Sequence, residues 1–205
     1  MRKIIFFLFF VVLSAQAQTK MTADEASRLK MKVKTRANNV QTISSDFVQL
    51  KHLNFLDNDI KSSGHLTFKA PHMVKWAYSS PFKYAIIFKE NKIFINDEGR
   101  KSDIDIGRNK LFKQLNNLII SSVKGDMFDK DKFHMEYFKT EEGSLVYFSP
   151  KDEKLAQFIK SFHITFNGHA DVTEVKMIEH SNDYTKILFS NKTLNQPIDE
   201  AVFNH

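Results

Sequence analysis

Two groups of residues in this chain have the types and spacing that chemistry needs. His163, His169 and Asp171 flank a predicted turn at Asn167-Gly168 and together offer nitrogen and oxygen donors for a metal ion. Asp103 and Asp105 stand two apart, so on a strand they share one face, as the paired carboxylates of an acid–base site would. Each group also has a plainer reading. Histidines beside a turn are ordinary surface residues, and two acids on a strand that buries Ile104 and Ile106 are its solvent side. The G-x-S-x-G elbow, the H-E-x-x-H zinc helix and the phosphate-binding P-loop are all missing from the sequence. Basic residues do not interleave with aromatics as nucleic-acid binding requires, so no nucleic acid is expected. Neither a cofactor nor a metal is expected, and a hydrolase survives only as a site assembled from scattered residues.

The aromatic surplus says more. The chain has 20 Phe against one Trp and five Tyr. Phe47, Leu66, Phe68, Trp76, Tyr78, Ile86, Phe88, Phe94, Ile104 and Ile106 all fall on alternating runs that can turn one face inward. Rigid walls of this kind, poor in polar groups, suit either a solid core or a cavity for an apolar guest.

The elements that place these residues follow from periodicity. Arg2 and Lys3, the apolar run Ile4 to Leu13 and the small-x-small signal Ala15-Gln16-Ala17 read as a Sec-type leader over 1–17, leaving a domain over 18–205. The run is shorter than the roughly 20 residues a membrane span takes. With no cysteine, a lipid anchor and disulfides are both excluded, and the mature chain is expected to be exported and released. The net charge of +6 falls to +4 without Arg2 and Lys3, a mild surplus that fits anionic headgroups as well as a solvated surface. Thr22 and Glu25 form a capping box for a helix to Val40, with Ala26, Leu29, Val33, Ala37 and Val40 on one face and basic residues, predicted to sit in water, on the other. From Ile43 the period becomes two, with turn signals at Asp57-Asn58, Lys89-Glu90-Asn91 and Asp97-Glu98-Gly99. Helical spacing returns at Leu111, Leu115 and Leu118, then strands resume from 133 to 190. The fold class expected is α+β, mostly β, with an antiparallel sheet of about ten strands that cannot stay flat and should curl into a barrel or half-barrel.

The stretches TISSDFVQLK, SSGHLTFKAP and VKWAYSSP together resemble the LolA family of outer-membrane lipoprotein carriers. The shared pattern is F-x-Q at Phe47 and Gln49, a G-x-L strand ending at Pro71, and W-x-Y at Trp76 and Tyr78 before Pro81. Leu155 to Phe166, Val175 to His180, Ile187-x-Phe189 and Asn195-x-Pro197-Ile198 extend the likeness over the mature chain. The resemblance implies an incomplete (open) antiparallel β-barrel of about ten to eleven strands covered by a lid of helices, and a non-enzymatic, monomeric periplasmic carrier whose cavity holds the acyl chains of lipoproteins. Its implied partners are acylated lipoproteins, an inner-membrane lipoprotein-releasing ABC transporter and an outer-membrane acceptor. A glycolipid or pigment precursor is the alternative cargo. The implied cavity lining is Phe47, Leu66, Phe68, Trp76, Tyr78, Ile86, Phe88 and Phe94, with Ala70, Leu111, Leu115 and Leu118 at the lid. The family usually carries an arginine that bonds to the lid where this chain has Ala70. A further departure is the end at His205, two residues past Phe203, which shortens the family's C-terminal extension and leads to an expectation of different cargo or acceptor.

Overall fold

The helix α1 (Ala23–Asn38) begins where the capping box places it. The Glu25 N–H donates to Thr22 Oγ1 at 3.3 Å, and the Thr22 N–H donates back to Glu25 Oε2 at 2.9 Å. Lys139 beside Glu25, with the Thr22 N–H, holds that carboxyl at about 2. Ala26, Leu29 and Val33 form the buried stripe. The computed structural model describes residues 18–89, 92–105 and 126–204; the leader, Ile106 and the lid leucines Leu111, Leu115 and Leu118 lie outside them.

The strands are β1 (Thr19–Lys20), β2 (Thr42–His52), β3 (Ile60–Lys69), β4 (Met73–Ser80), β5 (Tyr84–Lys89), β6 (Lys92–Asp97) and β7 (Arg100–Asp105). After these come β8 (Phe133–Lys139), β9 (Gly143–Pro150), the one-turn helix α2 (Glu153–Ala156), β10 (Ile159–Asn167), β11 (Val172–Glu179) and β12 (Tyr184–Leu194). All join one 12-stranded sheet in the order β1-β8-β9-β10-β11-β12-β2-β3-β4-β5-β6-β7. Two meanders therefore meet at the β12–β2 pair, every pairing is antiparallel, and the described ladder ends at β1 and β7 without closing. The turns obey local chemistry. Glu98 and Gly99 both take positive φ in the β6–β7 hairpin, where Asp97-Glu98-Gly99 was read as a turn.

Sheet curvature shows in which side chains meet. β4 and β10 are five ladder steps apart, about 24 Å in a flat sheet, yet Trp76 and Ile164 line the same cavity. The sheet is thus a half-barrel with α1 along one end of its concave face. One core packs Leu29 and Val33 of α1 on Phe133, Val146, Phe148, Phe162 and Phe166 of β8–β10. A second core gathers Phe47, Leu66, Phe68, Val74, Trp76, Phe88 and Ile93 from β2–β6. On the convex face a C-terminal 3-10 turn (Glu200–Phe203) lies on β4, with Phe203 buried. Lys75 Nζ donates to the Val202 carbonyl at 2.8 Å, and Lys69 donates to the Ile198 carbonyl at 3.2 Å.

Candidate ligand cavity

The F-x-Q and W-x-Y motifs interlock across the second core. Phe47 and Gln49 share the inner face of β2; Trp76 and Tyr78 share that of β4. The Phe47 ring meets Trp76 and Tyr78 edge-on, each at 5.0 Å, and Tyr78 Oη donates to Gln49 Oε1 at 2.9 Å. Burial, with Tyr84 stacked at 4.2 Å, pushes the Tyr78 phenol above its usual range. Gly64 sits between these rings. A Cβ there would fall 2.8 Å from Phe47 Cζ and collide with the Ala77 carbonyl, so the rings close only over a glycine.

Between the two cores lies a cavity of about 350 Å³, within the range of small-molecule sites. Its walls are Val33, Ala37 and Val40 from α1, Phe162 and Ile164 from β10, Val175 and Met177 from β11, and Ile187 and Phe189 from β12. From the second meander come Ile43, Leu66, Trp76, Tyr78, Ile86 and Phe88. Charge enters only at the α1 end. Arg36 Nε and Nη2 donate to the two Asp171 carboxylate oxygens at 3.1 and 3.3 Å, and Lys192 Nζ donates to the Val172 carbonyl at 2.6 Å. Burial lowers the Lys192 pKa, although Asp171 acts to raise it. Lys192 reaches this position through the β-bulge between Ser190 and Thr193.

Of the expected wall residues, the structure places Leu66, Trp76, Tyr78, Ile86 and Phe88 on the cavity. Phe47 and Phe68 are instead sealed in the adjacent core, each 1 % exposed, because cross-strand neighbours cover them completely. Phe94 faces away: the β5–β6 register sets it opposite Ile87 and puts Ile93 and Ile95 inward with Phe88 and Ile86. Parity was ambiguous in the run Ile93-Phe94-Ile95. Ile104 pairs with Ile93 on the inner face but remains 37 % exposed, not buried. Ala70 packs on the second core, off the cavity wall, with its N–H bonded to Gln41 O at 2.8 Å. The walls from α1 and β10–β12 were not named from the sequence, although the alternation of Phe162, Ile164 and Phe166, and of Ile187 and Phe189, was available. The basic face of α1 is also busier than expected. Besides Arg36, Lys32 Nζ bonds to the Gly168 carbonyl, and Lys30 lies 4.8 Å above the Tyr137 ring.

The catalytic readings fare differently. Among the described residues no three of His, Cys, Asp and Glu gather round one point. Asp171 is held by Arg36, and His163 stacks on Tyr147 at 3.7 Å, where burial, with Lys176 adding, drives its pKa down to about 4. Asp103 pairs with Lys92 at 3.1 Å. One relay went unnoticed in the sequence. Ser44 Oγ and His65 Nε2 are 2.7 Å apart, His65 Nδ1 and Asp46 Oδ1 are 2.8 Å apart, and Asn191 Nδ2 donates to Asp46 at 2.8 Å. It lies on the convex face, because Ser44 and Asp46 alternate with the inward Ile43, Ser45 and Phe47.

A model of the family described as "Outer membrane lipoprotein carrier protein LolA" matches residues 38–205. The outer-membrane lipoprotein carrier protein of Francisella tularensis subsp. tularensis (strain WY96-3418) is 24% identical over 185 residues, 89% of this chain and 83% of that one. The protein of the same name from Francisella philomiragia is 25% identical over 167 residues, 81% of this chain and 78% of that one. Among solved structures, a DUF1329 family protein from Desulfovibrio piger superposes with a TM-score of 0.50 at 12% identity, covering 89% of this chain and 97% of that one. The Pseudomonas aeruginosa MucA/MucB complex gives 0.52 at 9% identity, covering 88% of this chain and 61% of that one. These two likenesses concern the fold alone. The half-barrel, the interlocked F-x-Q and W-x-Y motifs and the family match over 38–205 agree: the chain belongs to the LolA family of outer-membrane lipoprotein carrier proteins.

Proposed function

We propose that this protein is a soluble carrier, exported by the leader at 1–17, that shields lipoprotein acyl chains in the cavity beneath α1. It ferries them from a releasing ABC transporter in the inner membrane to an outer-membrane acceptor, without catalysis. The observation that carries this reading is the apolar cavity held open between two separately packed cores. Protein interiors are normally close-packed, and an unfilled apolar wall costs stability, so a gap of this size supports a site for a guest. Family membership supports lipoprotein as that guest.

The energetics fit. A buried methylene is worth roughly 0.8 kcal/mol, so an acyl chain of about 16 carbons resists leaving a membrane for water by on the order of 12 kcal/mol. Free diffusion between two membranes is therefore negligible. A carrier offers an interior nearly as apolar as the bilayer, closed by an element that can lift. α1 is that element in this reading.

The test is titration with N-phenyl-1-naphthylamine followed by displacement with an acylated lipopeptide. Ala37→Phe grows a ring from α1 into the cavity. It is expected to weaken probe binding at least about tenfold while leaving the melting temperature unchanged or higher, since it fills space instead of overpacking. Equal probe affinity in the folded variant would exclude this cavity as the site.

A further inference from the structure

We infer that the end of the half-barrel opposite α1 is a membrane-contact rim, which inserts Phe55, Leu56, Phe82 and Phe158 into the interfacial layer of a lipid bilayer. Turns in an antiparallel meander alternate between its two ends. The β2–β3 loop (53–59), the β4–β5 loop (81–83), the β11–β12 turn and the segment between α2 and β10 all fall at one end. α1 bonds to the other end, at the Gly168–Asp171 turn.

Nine large apolar side chains are exposed among the described residues, and five of them, Phe55, Leu56, Ile60, Phe82 and Phe158, sit on this rim. Phe55 is 79 %, Phe82 70 % and Phe158 56 % exposed, so these are protruding tips and not half-covered core. Three of these segments are also tied together. The Asn54 N–H donates to Asp183 Oδ1 at 2.7 Å, Asn54 Nδ2 bonds to the Ser181 carbonyl, and His180 Nε2 bonds to the Ala156 carbonyl at 2.6 Å. These bonds tie the 53–59 loop to the β11–β12 turn, and that turn to α2.

Three features select a bilayer as the occupant. The aromatic tips come from separate loops, a shape that a soft apolar layer accommodates better than a rigid protein surface does. Lys51, Lys61, Lys83 and Lys160 are matched in number by Asp57, Asp59, Glu179 and Asp183, so the attraction is apolar and the lysine stems can lie along the interface. The cavity wall reaches to Tyr78 and Thr185, near the rim ends of β4 and β12, so an acyl chain rising from a bilayer under the rim meets the wall directly. No helix of the described residues is long and apolar enough to cross a membrane.

The purpose of the rim rests on the carrier reading, but its test does not. Purified protein is floated with vesicles of phosphatidylethanolamine and phosphatidylglycerol. Wild type is expected to float, and to stay bound in high salt. Phe82→Ser should lose partition several-fold, and the combined Phe55→Ser, Phe82→Ser and Phe158→Ser variant at least about tenfold. Both should keep wild-type melting and wild-type affinity for the cavity probe, since all three side chains are exposed. Wild type that stays with the lipid-free fraction, a triple variant that floats equally well, or binding stripped by salt would each overturn the inference. Flotation without any probe binding would remove the carrier reading and leave the rim standing.

Discussion

Arg36 on α1 and Asp171 in the β10–β11 turn form a two-point ion pair that ties α1 to that turn, at 3.1 and 3.3 Å. The resemblance leads one to expect an arginine reaching the lid from the end of β3, where this chain has Ala70; if α1 is the lifting element proposed above, its clasp starts from α1 itself. Bidentate geometry favours the pair, and the Asp171 side chain is only 17% exposed, but Arg36 at 45% keeps the gain to about 1 kcal/mol. Arg36→Gln is therefore expected to speed entry of an apolar probe into the empty cavity about fivefold. Asp171→Asn should do the same, and the double variant no more than either alone, because all three remove one interaction. Stopped-flow probe binding measures this. Additive effects, or rates equal to wild type, would show that the pair does not gate the cavity.

Gly64 makes the second core possible. Its missing side chain admits the Phe47 ring, which then contacts Trp76 and Tyr78. Gly64→Ala should destabilise by roughly 2–3 kcal/mol, the scale of overpacking strain in a dense core, even though alanine is the better residue in a generic strand. Chemical denaturation reads this directly. A neutral or stabilising outcome would mean that β4 can shift to carry the Ala77 carbonyl and the rings away from the new methyl, and would sink the close-approach argument.

The sequence carried the strands well because alternation and turn chemistry are local. Asp97-Glu98-Gly99 and the Thr22–Glu25 box act within a few residues, and both appear where their chemistry requires. Which inward residues are core and which are cavity wall was not legible. Phe47 and Trp76 have the same type of pattern, and only the curvature that brings β10 against β4 separates the sealed ring from the lining one. Phe94 was misplaced because three consecutive large apolar residues fit either parity. Lys192 gave no signal at all, since a bulge inverts its face and sequence does not announce the bulge.

Ser44, His65 and Asp46 have the donor order of an acyl-transfer triad, so their activity needs a direct test. The geometry alone is favourable: the Ser44–His65 and His65–Asp46 distances are 2.7 and 2.8 Å. The remaining parts of such a site depend on the surroundings. Ser44 lies inside a strand paired on both sides, with Thr67 on β3 and Thr193 on β12, so neighbouring N–H groups serve the ladder and are not free to bind an oxyanion. The His65 and Asp46 side chains are 43% and 49% exposed on the convex face, where water competes for every charge. The cluster is better understood as a cross-strand clamp, in which Asn191 also fixes Asp46 and anchors the bulge that delivers Lys192 to the cavity. A fluorophosphonate probe should therefore leave Ser44 unlabelled. Asp46→Ala should cost about 1 kcal/mol or less in stability, as for other exposed polar contacts, but alter probe affinity in the cavity through Lys192. Stoichiometric labelling that is abolished by His65→Ala would reverse this conclusion and make the convex face an esterase site.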